Sequence, residues 1–159
     1  RTIVDTVGYV GSKDCIDLDL PELSRTLALN KLKLNTLFVD GLSVTREDVV
    51  EFYKTIDIQL SFRLPRLIQC MPPELKNALK LCNAGSFKIP TVGYPELCWG
   101  EFKDCYIEAK TPAKVVEACC QLRDDKELYR LVSCNMYYRA QDYHIDNVVK
   151  SYENVLNEN

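Results

Sequence analysis

Short apolar runs alternate with amphipathic segments from residue 6 to about residue 109, and few folds accommodate that order. TVGYVG (6–11) is an apolar run ending in Gly-Ser. After a polar loop, LPELSRTLALNKLKL (20–34) places Leu20, Leu23, Leu27 and Leu34 at helical spacing. NTLFVDG (35–41) reads as the next strand, closed by Asp-Gly. SVTREDVVEFYKTI follows with Thr45 as N-cap and Asp48 at the third helical position, a near capping box, and the helix runs to about Ile56. IDIQLSFR (56–63) is a third strand, PPELKNALKLCNAGSF a helix, IPTVGY (89–94) a fourth strand and CYIEA (105–109) a fifth.

The pattern then becomes helical only. TPAKVVEACCQLRDD (111–125) starts with Thr111 as N-cap and Pro112 in the first turn, where a missing N–H does no harm. DKELYRLVSCNMYYRAQ and HIDNVVKSYENVLNEN supply two more helices. Strands apolar on both faces, separated by helices, imply a parallel sheet covered on both sides. The expected fold is therefore α/β: a doubly wound, mainly parallel, Rossmann-like sheet of about five or six strands with a helical C-terminal end. Residues 1–159 read as one such domain, and a start at Arg1 directly before a strand reads as a piece of a longer, two-domain chain.

Composition narrows the functional classes. The chain is 47% hydrophobic and 27% charged, the balance of a soluble globular protein. Its net charge of −3, with 20 basic residues scattered among 23 acidic ones, argues against a nucleic-acid partner. No run approaches the roughly 18 apolar residues of a membrane span, and RTIVDTVGYVGSKD lacks a signal-peptide core. The eight cysteines form no CxxC, and the only histidine is His144, so no metal site is expected. Reduced core thiols in a cytoplasmic setting are the simplest reading, with a pair of bridges as the alternative.

In an open parallel sheet, ligands bind beyond the carboxyl ends of the strands, so the loops there are the place to look. After the first strand come Gly11, Ser12 and Lys13, with neither a dinucleotide fingerprint nor a P-loop spacing. A turn glycine and a glycine that lets a ligand approach the backbone both fit. Arg63 follows the third strand as a fixed-charge fork suited to phosphate or carboxylate, or to a surface ion pair. In the next helix Leu75, Ala78, Leu79 and Cys82 form one apolar face, while Lys76, Lys80 and Asn83 form another stripe. Lysines near a helix N-terminus oppose the dipole by a few tenths of a kcal/mol unless an anion meets them. Glu96 and Glu101, after the fourth strand, suit either ribose hydroxyls or a capped loop. No Ser/His/Asp or Cys/His set is visible, and His144 reads as structural.

The succession IDIQLSFR, KNALKLCNAGSFKIPTVGYPELCWGEF and HIDNVVKSYENVL resembles the C-terminal half of GT-B fold glycosyltransferases of the group 1/family 4 type, and GYVGS resembles their first strand and glycine loop. The order of these segments, over most of the chain, carries the resemblance. It implies a nucleotide-sugar donor such as a UDP- or GDP-sugar as substrate, with no cofactor and no metal. It places Lys80 and Arg63 as the catalytic cations, and Gly11, Ser12, Lys13, Lys76, Asn83, Glu96 and Glu101 in donor binding. It also implies an N-terminal acceptor-binding domain as partner, without which this domain is inactive. Two departures stand out: Asn83 occupies the place of the second glutamate of a paired-glutamate motif, and Lys88 replaces a glycine. A non-enzymatic, flavodoxin-like interaction or small-anion-binding module is the alternative function.

Overall fold

A computed structural model describes residues 3–39, 43–63 and 77–157. Strands β1 (Thr6–Gly11), β2 (Lys33–Phe38), β3 (Ile58–Ser61), β4 (Thr91–Gly93) and β5 (Ile107–Glu108) form one sheet in the order β2-β1-β3-β4-β5. Every pairing is parallel, with Val7 opposite both Leu34 and Ile58, Leu60 opposite Val92, and Val92 opposite Ile107. The helices are α1 (Leu20–Leu29), α2 (Arg46–Thr55), α3 (Leu79–Ser86), α4 (Pro112–Asp124), α5 (Lys126–Gln141) and α6 (Ile145–Asn157). The α/β, all-parallel architecture with a helical C-terminal end is the one expected from the alternation.

Burial explains the sheet. All four residues of β3 are buried, and Val7, Tyr9, Ile58, Leu60 and Val92 are fully enclosed, as strands covered on both faces must be. Right-handed crossovers put α1 on one face and α2 and α3 on the other. Tyr53 of α2 stacks on Phe87, just past α3, with ring centroids 5.2 Å apart, while α4 packs against α1. The long α5 leaves α4 and packs along α3, so the chain changes face around the amino-terminal edge of the sheet. There the Tyr129 hydroxyl donates to the Asp57 carbonyl at 2.9 Å, and the Asp57 carboxylate accepts from the Asp5 and Thr6 N–H groups at 3.0 Å each.

The caps follow their residues. Thr45 and Asp48 form a full capping box at α2, and the Thr111 hydroxyl accepts from the Lys114 N–H at α4. Helix α1 ends at Leu29 and not at Leu34: Asn30 caps it, Lys31 turns the chain at φ 58°, and Leu34 belongs to β2. Its helical spacing with Leu27 is a coincidence of register. Helix α6 buries none of its residues and exposes Ile145, Val149, Tyr152, Val155 and Leu156. No described helix is long and apolar enough to cross a membrane.

The apolar face of α3 also differs from the sequence reading. Leu79 is 57% exposed and Cys82 only half-buried, whereas Ala78, Leu81, Ala84 and Gly85 are buried. The reason is a second neighbour: α3 packs on α5 as well as on the sheet, and small residues at 84 and 85 permit that approach. Leu75 and the expected helix start at Pro72 and Pro73 lie outside the described residues, as does the Asp-Gly closure of the second strand. A methyl group at Gly85 would sit 2.5 Å from the Met136 carbonyl oxygen and 2.8 Å from the Ala140 methyl. In an open helix Gly→Ala gains up to about 1 kcal/mol. Here Gly85→Ala is expected to lose about 1–3 kcal/mol by overpacking, read from the urea midpoint.

Candidate functional site

The order β2-β1-β3 means that the chain leaves β1 toward one side of the sheet and returns to pair β3 on the other. A crevice opens beyond the carboxyl ends where connections diverge in this way. Gly11 ends β1, and Arg63 lies two residues beyond β3, so the two flank that position. Gly11 has φ +150°, a conformation that favours glycine. A methyl group there would come within 2.9 Å of both the Lys80 ammonium and the Tyr9 hydroxyl. The missing side chain is what lets Lys80 reach the strand end.

Lys80, the second residue of α3, is half-buried, and its ammonium sits 4.6 Å from the centroid of the Tyr9 ring. The fully buried Tyr9 ring is held by its hydroxyl, which donates to the Ser12 carbonyl at 2.7 Å. The ring supplies a negative face beneath the cation, a contribution of about 0.5–2 kcal/mol. Among the described residues the ammonium makes no ion pair with a carboxylate. Burial, then the neighbouring positive charge of Arg63, pull its pKa down from 10.5 to about 8, against an opposing attraction from Glu96.

Arg63 and Glu96 are committed to each other. The guanidinium donates through both Nε, at 3.2 Å, and Nη2 to the two carboxylate oxygens, with the Glu96 side chain only 5% exposed and that of Arg63 23%. Burial opposes the charge on Arg63, but the Glu96 carboxylate more than offsets it and raises the guanidinium pKa. Glu96 precedes the short 3-10 helix Leu97–Phe102 in extended backbone, which carries its side chain back to Arg63. Cys98 sits beside the pair, its thiol 3.9 Å from Glu96 Oε2.

The structure thus gathers Gly11, Ser12, Arg63, Lys80 and Glu96 around one edge. Ser12 also caps the turn Lys13–Cys15 by accepting from the Asp14 N–H, and Lys13 is exposed on that turn. Asn83 is half-buried one turn beyond Lys80. Glu101 is exposed, and its carbonyl accepts from Arg139 Nε at 2.6 Å, tying its backbone to α5. Lys76 lies outside the described residues. The sequence reading missed Tyr9, although its spacing was informative: residues two apart on a strand share a face, so Tyr9 must lie beside Gly11.

Among the described residues, the cysteines from Cys15 to Cys134 form no disulfide with one another, and Cys70 lies outside the described residues. Among the described residues no three His, Cys, Asp or Glu side chains gather into a metal-binding group. His144 accepts from the Asp146 N–H at 3.4 Å, just before α6. What the arrangement offers chemically is a poised cation beside a bare backbone turn, backed by a second cation held in an ion pair. No protein-family model matches the chain, and comparison with curated proteins finds no significant match.

The depressed Lys80 pKa makes a stability prediction with a definite sign. Below pH 8 both folded and unfolded chains carry the proton, and the penalty for burying the charge stands in full. Between pH 8 and 10.5 only the unfolded chain holds it, so this contribution to stability climbs with pH. Lys80→Met is therefore expected to be more stable than the wild type at pH 7, by on the order of 2 kcal/mol. The gap should close by about pH 10.5, in urea unfolding followed at both pH values.

Proposed function

We propose that the carboxyl-terminal edge of the sheet binds the diphosphate of a nucleoside-diphosphate sugar, and that the chain is the donor-binding part of a glycosyltransferase. The observation that carries this reading is the Lys80 ammonium, without a carboxylate partner among the described residues and set beside the glycine turn at the end of β1. Burial makes a cation in that position costly at neutral pH, and the Tyr9 ring offsets that cost only in part. An anion arriving there offsets the cost of holding that charge.

In this reading Lys80 meets the diphosphate directly, and Arg63, fixed by Glu96, adds a second positive charge. Gly11 and Ser12 let phosphate oxygens approach the backbone, with Lys13 on the adjoining turn. Lys76 joins the diphosphate site, Asn83 lines the helix side, and the exposed Glu101 takes ribose or sugar hydroxyls. When the glycosidic bond to the diphosphate breaks, charge grows on the leaving oxygens, and fixed cations stabilise that charge more than they stabilise the bound substrate. The acceptor and any general base come from a partner domain, so the isolated chain binds the donor weakly and turns nothing over.

Thermal unfolding with UDP-, GDP- and ADP-sugars tests the reading. The favoured nucleotide should raise Tm progressively with concentration, by mass action. Lys80→Met should remain folded yet lose most of that rise. No shift with any of these nucleotides at millimolar concentration, or an equal shift in the variant, would contradict it.

A further inference from the structure

A second feature lies at the opposite, amino-terminal edge of the sheet, where the chain passes from α4 to α5. A cavity of about 370 Å³ opens there, with Val4, Leu122 and Tyr129 giving it apolar walls. That volume is within the range of small-molecule sites, about 300–1,000 Å³. Ser133 of α5 lines it and is only 6% exposed, and its hydroxyl makes no hydrogen bond. Leaving a buried hydroxyl unpaired is costly, and alanine at this position would avoid that cost. Ser133 is thus a cavity-lining residue whose hydroxyl has no hydrogen-bond partner among the described residues.

The charges around the cavity do not match the rest of the chain. The 159-residue chain carries −3, yet Lys88, Arg123, Lys126 and Arg130 line this space against the single carboxylate of Glu127. Arg123 is used elsewhere: it pairs with Asp124 and donates to the Asn30 carbonyl. Arg130 and Glu127 are only loosely paired, at 3.9 Å, and both are well exposed. Lys88 is held at φ 56°, two residues past the end of α3, where its N–H donates to the Gly85 carbonyl. Glycine is the residue best suited to that backbone. Lysine there is strained, and its ammonium lies over the Tyr137 ring at 4.5 Å.

We propose that this cavity binds a small organic oxyanion, an anionic head carried on an apolar body. Lys126 and Arg130 at the rim attract the head, the Ser133 hydroxyl donates a hydrogen bond to it, and Val4, Leu122 and Tyr129 take the body. The site is independent of the diphosphate reading, because it uses other residues at the other edge.

The test is an amide chemical-shift titration of the isotope-labelled chain with phenyl phosphate, with inorganic phosphate as a second arm. Saturable shifts at Val4, Leu122, Arg130 and Ser133 are expected with phenyl phosphate, and affinity at least about tenfold weaker for inorganic phosphate, which has no apolar body. Ser133→Ala, which removes only an unpaired hydroxyl, should keep the fold and weaken phenyl phosphate binding about tenfold. Arg130→Gln, on the exposed rim, should weaken it as well. Shifts confined to the Gly11 and Lys80 edge, no saturation at the four named residues, or unchanged affinity in both variants would overturn the proposal. Those outcomes leave the diphosphate reading standing, since each edge is read by its own amides.

Discussion

Strand β1 is paired on both sides, by β2 along its full length and by β3 near its start, and the rest of the architecture depends on that central position. The crossover from β1 to β2 and the crossover from β2 to β3 run in opposite directions along the sheet, so, both being right-handed, they cover opposite faces. The two connections diverge at the carboxyl-terminal edge, where Gly11, the last residue of β1, is only partly buried. Gly11, Ser12 and Arg63 stand at this edge because the strand order puts them there. At the amino end, the Asp57 carboxylate locks β3 to the start of β1 through two backbone N–H groups.

The same topology separates two electrostatic environments. At the carboxyl edge one carboxylate, Glu96, serves one guanidinium, and Lys80 remains over the Tyr9 ring with its pKa drawn down by burial and by Arg63. An aromatic face compensates a desolvated ammonium only in part, because a ring quadrupole falls well short of a full negative charge. At the amino edge the polar misfit is a hydroxyl instead, that of Ser133, and the surrounding cations are exposed and only loosely paired. Strain accompanies function in folded proteins, and these two misfits sit where ligands have room.

Much of this fold was legible because its signals are local. Thr45 with Asp48, and Thr111 with Pro112, announce helix starts through side chains that reach only three residues along the chain. TVGYVG gave both ends of β1 correctly, since a buried parallel strand is apolar throughout. What failed depended on partners distant in sequence. The stripe through Leu79 and Cys82 looked like a core face, but the contact between α3 and α5 selects Ala84 and Gly85 instead, and Met136 lies about fifty residues away. Likewise, Leu34 fits a helical period and a strand equally well, and Asn30 with the left-handed Lys31 decides between them. At the site, Gly11, Arg63, Lys80 and Glu96 could be named from their places after strands. That Glu96 faces Arg63 across 33 residues, and that Tyr9 lies under Lys80, are facts of packing that no motif encodes.

The central claim is that the surroundings of Lys80 make its charge costly, drawing its pKa down to about 8, until an anion arrives. Selective isotope labelling of lysine side chains, followed by an NMR titration, reads its ionisation directly. The Lys80 signal should titrate near pH 8 in the chain alone and move toward or above the ordinary 10.5 when UDP or pyrophosphate is present at saturation. A midpoint already at the ordinary lysine value, or one that stays near 8 in saturating diphosphate, would contradict the account.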